Sequence, residues 1–291
     1  MKKFIYLFLA MAVVTTTFTS CLDDDADDNS YTVTRTYNDC FLFLTDITDG
    51  TQRVIKDTQL SVAFTYLYGN KVTCTASVAI KNVPNIAGGL ADVQFSKLPV
   101  SITDHESHLV TATNLSPDNN RAMTFNSFTL EWLDRSMSNV YIPVVQLKFT
   151  VDNRYQVTLV PKNYYLFGKT TVTAPGSTTA SYTNEKMWYQ LTVNPEDMKC
   201  SMFLHDCQLA EKMPAMDMNF AGIDFNPTNA AYTVSASQLI PTINNVPFPN
   251  YEVTNVNGVG QYDSKMTFRF TVKDLGSVSA QLFPYYQSTE K

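Results

Sequence analysis

The chain has 291 residues, of which 21 are Lys or Arg and 27 are Asp or Glu, so its formal net charge at pH 7 is −6. Five aspartates fall within residues 23–28, and the remainder of the chain is close to neutral. A nearly neutral chain has no basic surface to neutralise phosphates, so we expect no nucleic-acid partner.

Residues 1–20 have the pattern of a secretory leader. Lys2-Lys3 precedes an apolar run over residues 4–14, which is shorter than the roughly 20 residues that a membrane-spanning helix needs. The leader ends in Phe18-Thr19-Ser20-Cys21. A cysteine at this boundary resembles the lipobox of bacterial lipoproteins, which implies attachment of acyl chains such as palmitate at Cys21 and a stable membrane anchor. An ordinary secreted protein with an incidental Cys21 is the alternative.

An acidic run without aromatic residues, Leu22-Asp23-Asp24-Asp25-Ala26-Asp27-Asp28, follows the cysteine directly. Such a run does not collapse, so residues 21–30 are predicted to be a solvated tether. The run is similar to the acidic export signal that Bacteroidetes lipoproteins carry behind the lipidated cysteine. This similarity implies exposure on the cell surface, at the outer face of the outer membrane. A simple spacer is the alternative.

From residue 31 onward, apolar and polar residues alternate in short segments. The clearest segment places Val62, Phe64, Tyr66 and Tyr68 on one face. The predicted segments of the first half are 41–47, 54–55, 60–68, 71–83, 90–98, 109–113, 123–132, 140–151 and 155–160. Period-two alternation that is rich in Val, Thr, Tyr and Phe is typical of an all-β protein. A turn or short helix over residues 207–213 is the one expected exception.

The second half of the chain repeats the first at an offset that stays between 121 and 126 residues. Val110–Pro117 returns as Val234–Pro241, and Leu147–Val151 returns as Phe268–Val272. The other matched pairs are Leu42-Phe43 with Leu166-Phe167, Cys74 with Cys200, Val93 and Phe95 with Met218 and Phe220, Phe125, Phe128 and Leu130 with Phe248, Tyr251 and Val253, and Leu159–Pro161 with Leu282–Pro284. So constant an offset indicates an internal duplication.

The repeat divides the chain into a leader (1–20), a lipidated tether (21–30), a first β domain (31–162) and a second β domain (163–291). Each domain is large enough to bury its own core. Consecutive antiparallel strands must protect their sheet edges, and closure into a calycin-like barrel of about eight strands does so. A β-sandwich is the second choice. The linker is almost absent, so we expect the two domains to touch.

Four cysteines remain after Cys21. Cys200 and Cys207 would lie about 23 Å apart on one extended strand, which is too far for a disulfide. Cys40 and Cys74 can pair only if their strands are neighbours. Cys74 has a repeat partner in Cys200 whereas Cys40 has none, which favours buried thiols over a bridge.

The second copy carries a sharper set of motifs, Leu209–Met218, Phe220–Phe225, Leu239–Pro241 and Pro247–Tyr251. They resemble a recurring domain of unknown function in Bacteroidetes outer-membrane lipoproteins, whose relatives have calycin-like (lipocalin-type) β-barrels. The resemblance covers about residues 165–286. It implies an all-β fold and lipid attachment at Cys21, and it implies no catalytic or ligand-binding residues.

The three histidines give little support to a catalytic or metal site. His105 and His108 are three residues apart, and on a strand or loop such a pair does not converge on one metal ion, so a solvated loop is expected. His205 precedes Asp206 in a predicted strand without a recognisable partner. The chain has no nucleophile elbow, zinc-protease or phosphate-loop motif, although paired carboxylates for glycoside hydrolysis stay open. We therefore expect no enzymatic activity, no metal and no cofactor.

The two tryptophans differ in predicted orientation. Trp132 lies on the same face of its predicted strand as Phe128 and Leu130, so it is predicted to lie in the core. Trp188 falls on the polar face of its segment, where it is a candidate for stacking on a sugar or meeting a protein partner. Packing against the other domain is the alternative.

The leading hypothesis is a non-catalytic surface lipoprotein that binds a small apolar ligand, a glycan or an envelope protein. A structural or adhesive component of a surface assembly is the second hypothesis, and a hydrolase is the third. Bulky residues such as Phe64, Tyr66 and Trp132 would argue against the small-ligand version if they filled the barrel interior.

Overall fold

A computed structural model of the chain describes residues 30–68, 71–103, 107–137, 140–262 and 265–284. The leader, Cys21 and the tether up to residue 29 lie outside these ranges, as does His105, so the predictions for them stay predictions; Ser30, the predicted last residue of the tether, already belongs to the first strand. Within the described residues, no helix is both long enough and apolar enough to span a bilayer.

The first half of the chain forms a closed barrel of eight antiparallel strands in sequence order. The strands are β1 (Ser30–Asp46), β2 (Gln52–Leu67), β3 (Thr73–Pro84), β4 (Leu90–Ile102), β5 (His108–Leu115), β6 (Phe125–Met137), β7 (Val140–Val151) and β8 (Tyr155–Pro161). The predicted alternation is realised on β3, where Cys74, Ala76, Val78 and Ile80 are buried and face the interior.

The second half forms another closed barrel. Its elements are β9 (Asn163–Thr173), β10 (Tyr182–Asn184), β11 (Trp188–Asn194), β12 (Lys199–Cys207), β13 (Met216–Pro227), β14 (Ala231–Leu239), β15 (Thr242–Ile243), β16 (Val246–Pro247), a 3-10 helix (Pro249–Tyr251), β17 (Val253–Gln261), β18 (Met266–Val272) and β19 (Gly276–Phe283). Eight of them form the ring β9-β11-β12-β13-β14-β17-β18-β19, which closes because β19 pairs with β9. The predicted fold class, two tandem all-β domains with barrel closure, is confirmed.

The strands of the two barrels correspond one to one, as the repeat predicts, but one of the predicted matches is out of register. Most of the matched pairs fall on equivalent strands of the two barrels, but Phe248 and Tyr251 precede β17 instead of lying within it. The Asp152 N–H donates to the carbonyl of Thr124, and the Lys273 N–H donates to that of Glu252, so the first residue of β17 is equivalent to the first residue of β6. Val253 is thus equivalent to Phe125, and the predicted match of Phe125, Phe128 and Leu130 to Phe248, Tyr251 and Val253 is wrong. The second copy has a longer loop there, which holds the β15–β16 hairpin and the 3-10 helix.

Aromatic rings fill much of each barrel interior. In the first barrel the Phe125 ring centroid lies 4.9 Å from that of Phe95 and 5.0 Å from that of Phe149, and Trp132 is fully buried as predicted. In the second barrel the rings of Phe220 and Phe270 are 5.2 Å apart. Rings at these separations are in contact, so these parts of the interior hold side chains and leave no room for a ligand.

All four cysteines of the described residues are buried free thiols, as predicted. The Cys40 thiol donates to the carbonyls of Tyr37 and Thr58, at 3.7 and 3.6 Å. Burial raises the pKa of Cys200 and of Cys207 to about 12, so neither forms a thiolate at neutral pH.

Candidate functional site

Trp188 lies on the outer face of the second barrel, as its parity predicts, but it does not offer an open ring face. The register of β11 with β9 and β12 places Trp188 directly between Phe167 and His205. Its ring is nearly parallel to that of His205, with centroids 3.4 Å apart and an interplanar angle of 7°, and Phe167 stacks at 6.2 Å. Because neighbouring rings flank it on both sides, Trp188 is a poor platform for stacking on a sugar.

His205 has partners that the sequence pattern did not reveal. Besides the stack on Trp188, its Nδ1 lies 3.8 Å from a carboxylate oxygen of Asp217 on the neighbouring strand. Burial lowers the pKa of His205, and the nearby carboxylates of Asp217 and Asp206 oppose that shift. The imidazole is therefore held mainly neutral at pH 7, as part of a structural row of rings.

His108 begins β5 and packs inside its barrel, so the predicted solvated loop is wrong at this residue. Its Nε2 lies 2.5 Å from the Tyr66 hydroxyl, and its ring centroid is 4.4 Å from that of Phe64. The neighbouring Ser107 hydroxyl donates to Glu131 at 3.0 Å. Within the part of the chain that the structure describes, no three His, Cys, Asp or Glu side chains come together as metal ligands.

The candidate site is a cleft of about 520 Å³ at one end of the first barrel, where the β1–β2, β3–β4 and β7–β8 turns meet. We call it the Arg-Tyr cleft. It is lined by Asp46, Asp49, Thr51, Arg53, Ile86, Ala87, Gly88, Arg154 and Tyr155. Charged, aromatic and apolar groups thus meet on loops that a closed barrel holds in place.

The β1–β2 turn is fixed by its own side chains. An Asp46 carboxylate oxygen accepts hydrogen bonds from the backbone N–H and the hydroxyl of Thr48, at 3.0 and 2.6 Å. Asp49 accepts the equivalent pair from Thr51, at 2.8 and 2.7 Å. These are Asx turns, which explains why Asp and Thr recur at this spacing. The site is therefore largely formed before any ligand arrives.

The same hydrogen bonds determine the charge state of the two carboxylates. The bonds from Thr48 lower the pKa of Asp46, and the Arg154 guanidinium lowers it further against the opposing effect of burial. The bonds from Thr51 likewise lower the pKa of Asp49. Both groups are ionised at neutral pH. A general acid of a glycosidase needs a raised pKa, so neither carboxylate suits that role.

Two arginines lie over one tyrosine ring in the cleft. Arg154 donates from Nε to Asp46 at 2.9 Å, which fixes its guanidinium 4.9 Å from the ring centroid of Tyr155. The guanidinium of Arg53 lies 5.7 Å from the same centroid. Asp46 neutralises Arg154, whereas Arg53 has no ion pair among the residues that the structure describes. The exposed Arg53 thus supplies a cationic fork with free donors.

The second barrel shows that these residues are not required by the fold. The Arg154 N–H donates to Val151, and the Leu275 N–H donates to Val272 in the equivalent turn. The pair Arg154-Tyr155 therefore corresponds to Leu275-Gly276. Gly276 has a φ of +109°, and a Cβ there would lie 2.1 Å from the carbonyl oxygen of Thr173, so no tyrosine fits.

Arg53 is replaced in the same way. It precedes Val54, which pairs with Phe43, and the repeat equivalents of that pair are Trp188 and Phe167. The residue before Trp188 is Met187, which is buried. Arg53, Arg154 and Tyr155 thus occur only in the first barrel. Residues that differ between two copies of one fold are not needed for folding, which is what we expect of a binding site.

Comparisons with known proteins leave the family open. No family model and no curated protein matches the chain, so the resemblance to Bacteroidetes lipoproteins stays a prediction. One solved structure found is a double mutant of transferrin-binding protein B, a vaccine antigen from Haemophilus parasuis Hp5. It is 10% identical, with 88% of this chain and 76% of that chain covered, and at a TM-score of 0.22 the likeness carries no argument about function.

Sequence reasoning missed the cleft, although one signal was present. The matched segments of the repeat, Leu147–Val151 and Leu159–Pro161, leave residues 152–158 between them. The change from Arg154-Tyr155 to Leu275-Gly276 falls in that interval. A substitution of two interface-prone residue types by Leu and Gly within an otherwise kept turn would have indicated a specialised surface.

Proposed function

We propose that this protein is a lipid-anchored lipoprotein of the outer membrane surface that binds, without catalysis, a carboxylate-bearing partner in the Arg-Tyr cleft. The lipid is attached at Cys21, and the acidic tether at 21–30 holds the two barrels outside the membrane. The proposal for the cleft depends on one observation above all, the Arg53 guanidinium that lies over Tyr155 without a carboxylate partner.

The chemistry of the cleft supports an anionic partner. Arg53 presents a planar set of N–H donors that matches the two oxygens of a carboxylate, and Arg–carboxylate pairs of this kind are strong and directional. The flanking side chains of Ile47, Ile86 and Leu90 expose 49, 60 and 53% of their surface, which adds apolar contact around the charged centre. Arginines surrounded by apolar groups are enriched where proteins bind partners, and the buried Tyr155 supports the two guanidiniums from below. An acidic sugar and an acidic side chain of an envelope protein share this carboxylate chemistry.

A non-catalytic role agrees with the charge state of the cleft. Asp46 and Asp49 are both held ionised by hydrogen bonds from threonines of their own turn, and Asp46 is also paired with Arg154. An ionised carboxylate cannot act as a general acid, so neither aspartate supplies the protonated acid that glycoside hydrolysis requires. A small apolar ligand inside a barrel is less well supported, since contacting rings occupy much of the interior.

The binding proposal is tested with two defined probes, an oligogalacturonate and a glutamate-rich peptide, each against a neutral analogue. Arg53→Gln should weaken binding of the recognised probe by about tenfold to a hundredfold, the range for a lost charge-assisted hydrogen bond. Arg269→Gln, which removes an exposed arginine from the second barrel, is the matched control and should leave binding unchanged. Equal binding by wild type and Arg53→Gln, or equal loss in both variants, would show that the cleft is not the site.

The anchor is tested separately in cells. Cys21→Ala should release the protein from the membrane fraction and abolish uptake of labelled palmitate. A variant that still sediments with membranes and still takes up label contradicts the lipoprotein assignment. Replacement of the five tether aspartates by asparagine should leave lipidation intact and reduce access to external protease, whereas unchanged access would reduce the tether to a spacer.

An adhesive role is the second candidate, and one surface of the second barrel favours it. The loop between β14 and β17 exposes Ile240, Val246 and Phe248 by 53, 61 and 36%. Apolar side chains presented together on a hairpin are typical of protein contact surfaces. Substitution of all three by serine should abolish any self-association seen by light scattering, and a monomeric wild type would remove the support for this role.

A further inference from the structure

The end of the first barrel at which the chain begins exposes a group of apolar side chains, which we call the apolar collar. It consists of Tyr31, Leu67, Tyr68, Val72 and Ile102. Each of these residues exposes between 47 and 55% of its surface. Single exposed apolar residues are ordinary, but five at one end of a small barrel require an explanation.

The strand registers show that the members of the collar are neighbours. Tyr31 pairs with Tyr66 across β1 and β2, with ring centroids 6.4 Å apart, and Leu67 pairs with both Ser30 and Thr73. On β3 and β4, Cys74 pairs with Val100. The same antiparallel register continued by two residues places Val72 opposite Ile102. The collar therefore runs along the ends of four adjacent strands.

The place where residues 1–29 join the first barrel, and the short distance in sequence to Cys21, indicate what covers this surface. Residues 1–29 join β1 at Ser30, which pairs with the collar residue Leu67, and Cys21 is nine residues before Ser30. Nine extended residues reach about 30 Å at most, so a lipid on Cys21 would keep the collar within that distance of the bilayer. Tyrosines beside aliphatic residues are the composition that proteins place at a membrane interface, where the ring meets lipid and the hydroxyl meets water.

We infer that the apolar collar rests on the phospholipid bilayer that holds the lipid anchor. The inference depends on the anchor of the proposed function for its occupant, and it adds an orientation. β1 starts at Ser30, beside the collar, and ends at Asp46 in the Arg-Tyr cleft, so a barrel that stands on the collar directs the cleft away from the membrane. In that orientation the cleft is open to partners from outside the cell.

The inference is tested on the mature chain, which begins at residue 21 and carries Cys21→Ser so that it has no acyl group. Flotation with phosphatidylcholine vesicles measures the partition coefficient of this protein. The triple variant Leu67→Ser, Tyr68→Ser and Val72→Ser should lower the coefficient by tenfold or more, because about half of each apolar side chain is left to be buried in lipid. The matched control Ile47→Ser, Ile86→Ser and Leu90→Ser removes a similar exposed area at the opposite end and should partition like the parent.

The possible outcomes separate the collar from the anchor. Failure of the unacylated parent to bind vesicles, or equal loss in the collar and control variants, overturns the inference. So does dimerisation of the parent in solution that the collar variant abolishes, since the surface would then join two copies of the chain. Unchanged thermal unfolding of both variants excludes misfolding as the cause of lost binding. Uptake of palmitate at Cys21 tests the anchor alone, so a failure of either idea is recognised separately.

Discussion

The hydroxyls of Tyr189 and Thr170 offer the sharpest test of the second barrel. Both residues are fully buried, and their oxygens are 2.6 Å apart, so one hydrogen bond joins β11 to β9 within the interior. Tyr189→Phe removes one partner and leaves the Thr170 hydroxyl buried without water. Leaving such a group unsatisfied costs about 1–3 kcal/mol. The free energy of unfolding of the second barrel should fall by that amount.

A double-mutant cycle separates this bond from the change in packing. Thr170→Val alone should cost a similar amount because it leaves the Tyr189 hydroxyl unsatisfied. The double variant replaces both polar groups by apolar ones of similar shape, so it should cost clearly less than the sum of the single variants. Hydrogen exchange of the β9 and β11 amides assigns the effect to this barrel. Tyr182→Phe, at a partly exposed tyrosine, is the control and should change stability by less than about 0.5 kcal/mol.

Strict additivity would refute the reasoning. Two single variants that cost 1 kcal/mol or more and a double variant that costs their sum would mean that the hydroxyls do not interact. A cost near zero for Tyr189→Phe would mean that water reaches Thr170, and the interior of this barrel would then be less tightly packed than its rings indicate.

Three further predictions concern a glycine, a histidine and a pair of tyrosines. Gly276→Ala should destabilise the protein by more than about 2 kcal/mol, because its Cβ would clash with a backbone oxygen in addition to the strain of a φ of +109°. The control Gly222→Ala, at a φ of +79° with open space around the Cβ, should cost only about 1 kcal/mol. Urea unfolding compares the two variants. Since burial lowers the pKa of His205 in the folded protein, the stability that its neutral form contributes should be present above pH 6.5, the ordinary histidine pKa, and lost as the pH falls. His205→Phe should flatten the pH dependence of the free energy of unfolding. An unchanged slope between pH 7 and 5 in this variant would contradict the prediction. Burial raises the pKa of Tyr232 and Tyr262, so stability should decline as the pH rises above about 10, where unfolded tyrosines ionise; constant stability between pH 9 and 11 would contradict this.

Local pattern predicted much of the fold. Strict alternation on segments such as Val62–Tyr68 identified strands, and parity alone placed Trp132 inside and Trp188 outside. The repeat then predicted two similar domains, and the short turns favoured barrels over sandwiches. The error at Phe248 arose because aromatic residues spaced like those of β6 occur in a loop insertion. Sequence similarity cannot distinguish an inserted loop from a strand when both carry the same residue types.

The candidate site depended on contacts between distant residues. Asp46 and Arg154 are 108 positions apart, and Arg53 reaches the same cleft from the start of β2. The stack of Trp188 on His205 likewise requires the register between β11 and β12, which a hairpin with a different turn would have shifted. Period-two alternation says which face a side chain is on but not which side chain lies opposite.

The sequence alone determined the β class, the duplication and the inward or outward orientation of most strand residues, because each depends on local spacing and composition. The tertiary structure decided which loops meet. Closure of β1 to β8 brings the ends of β1, β3 and β7 and the start of β2 to one rim. There an ionised Asp46 holds Arg154 over Tyr155, and Arg53 keeps its donors free. Ion pairing and stacking act over a few ångströms in space, and in this protein barrel closure brings residues that are far apart in the chain within that distance.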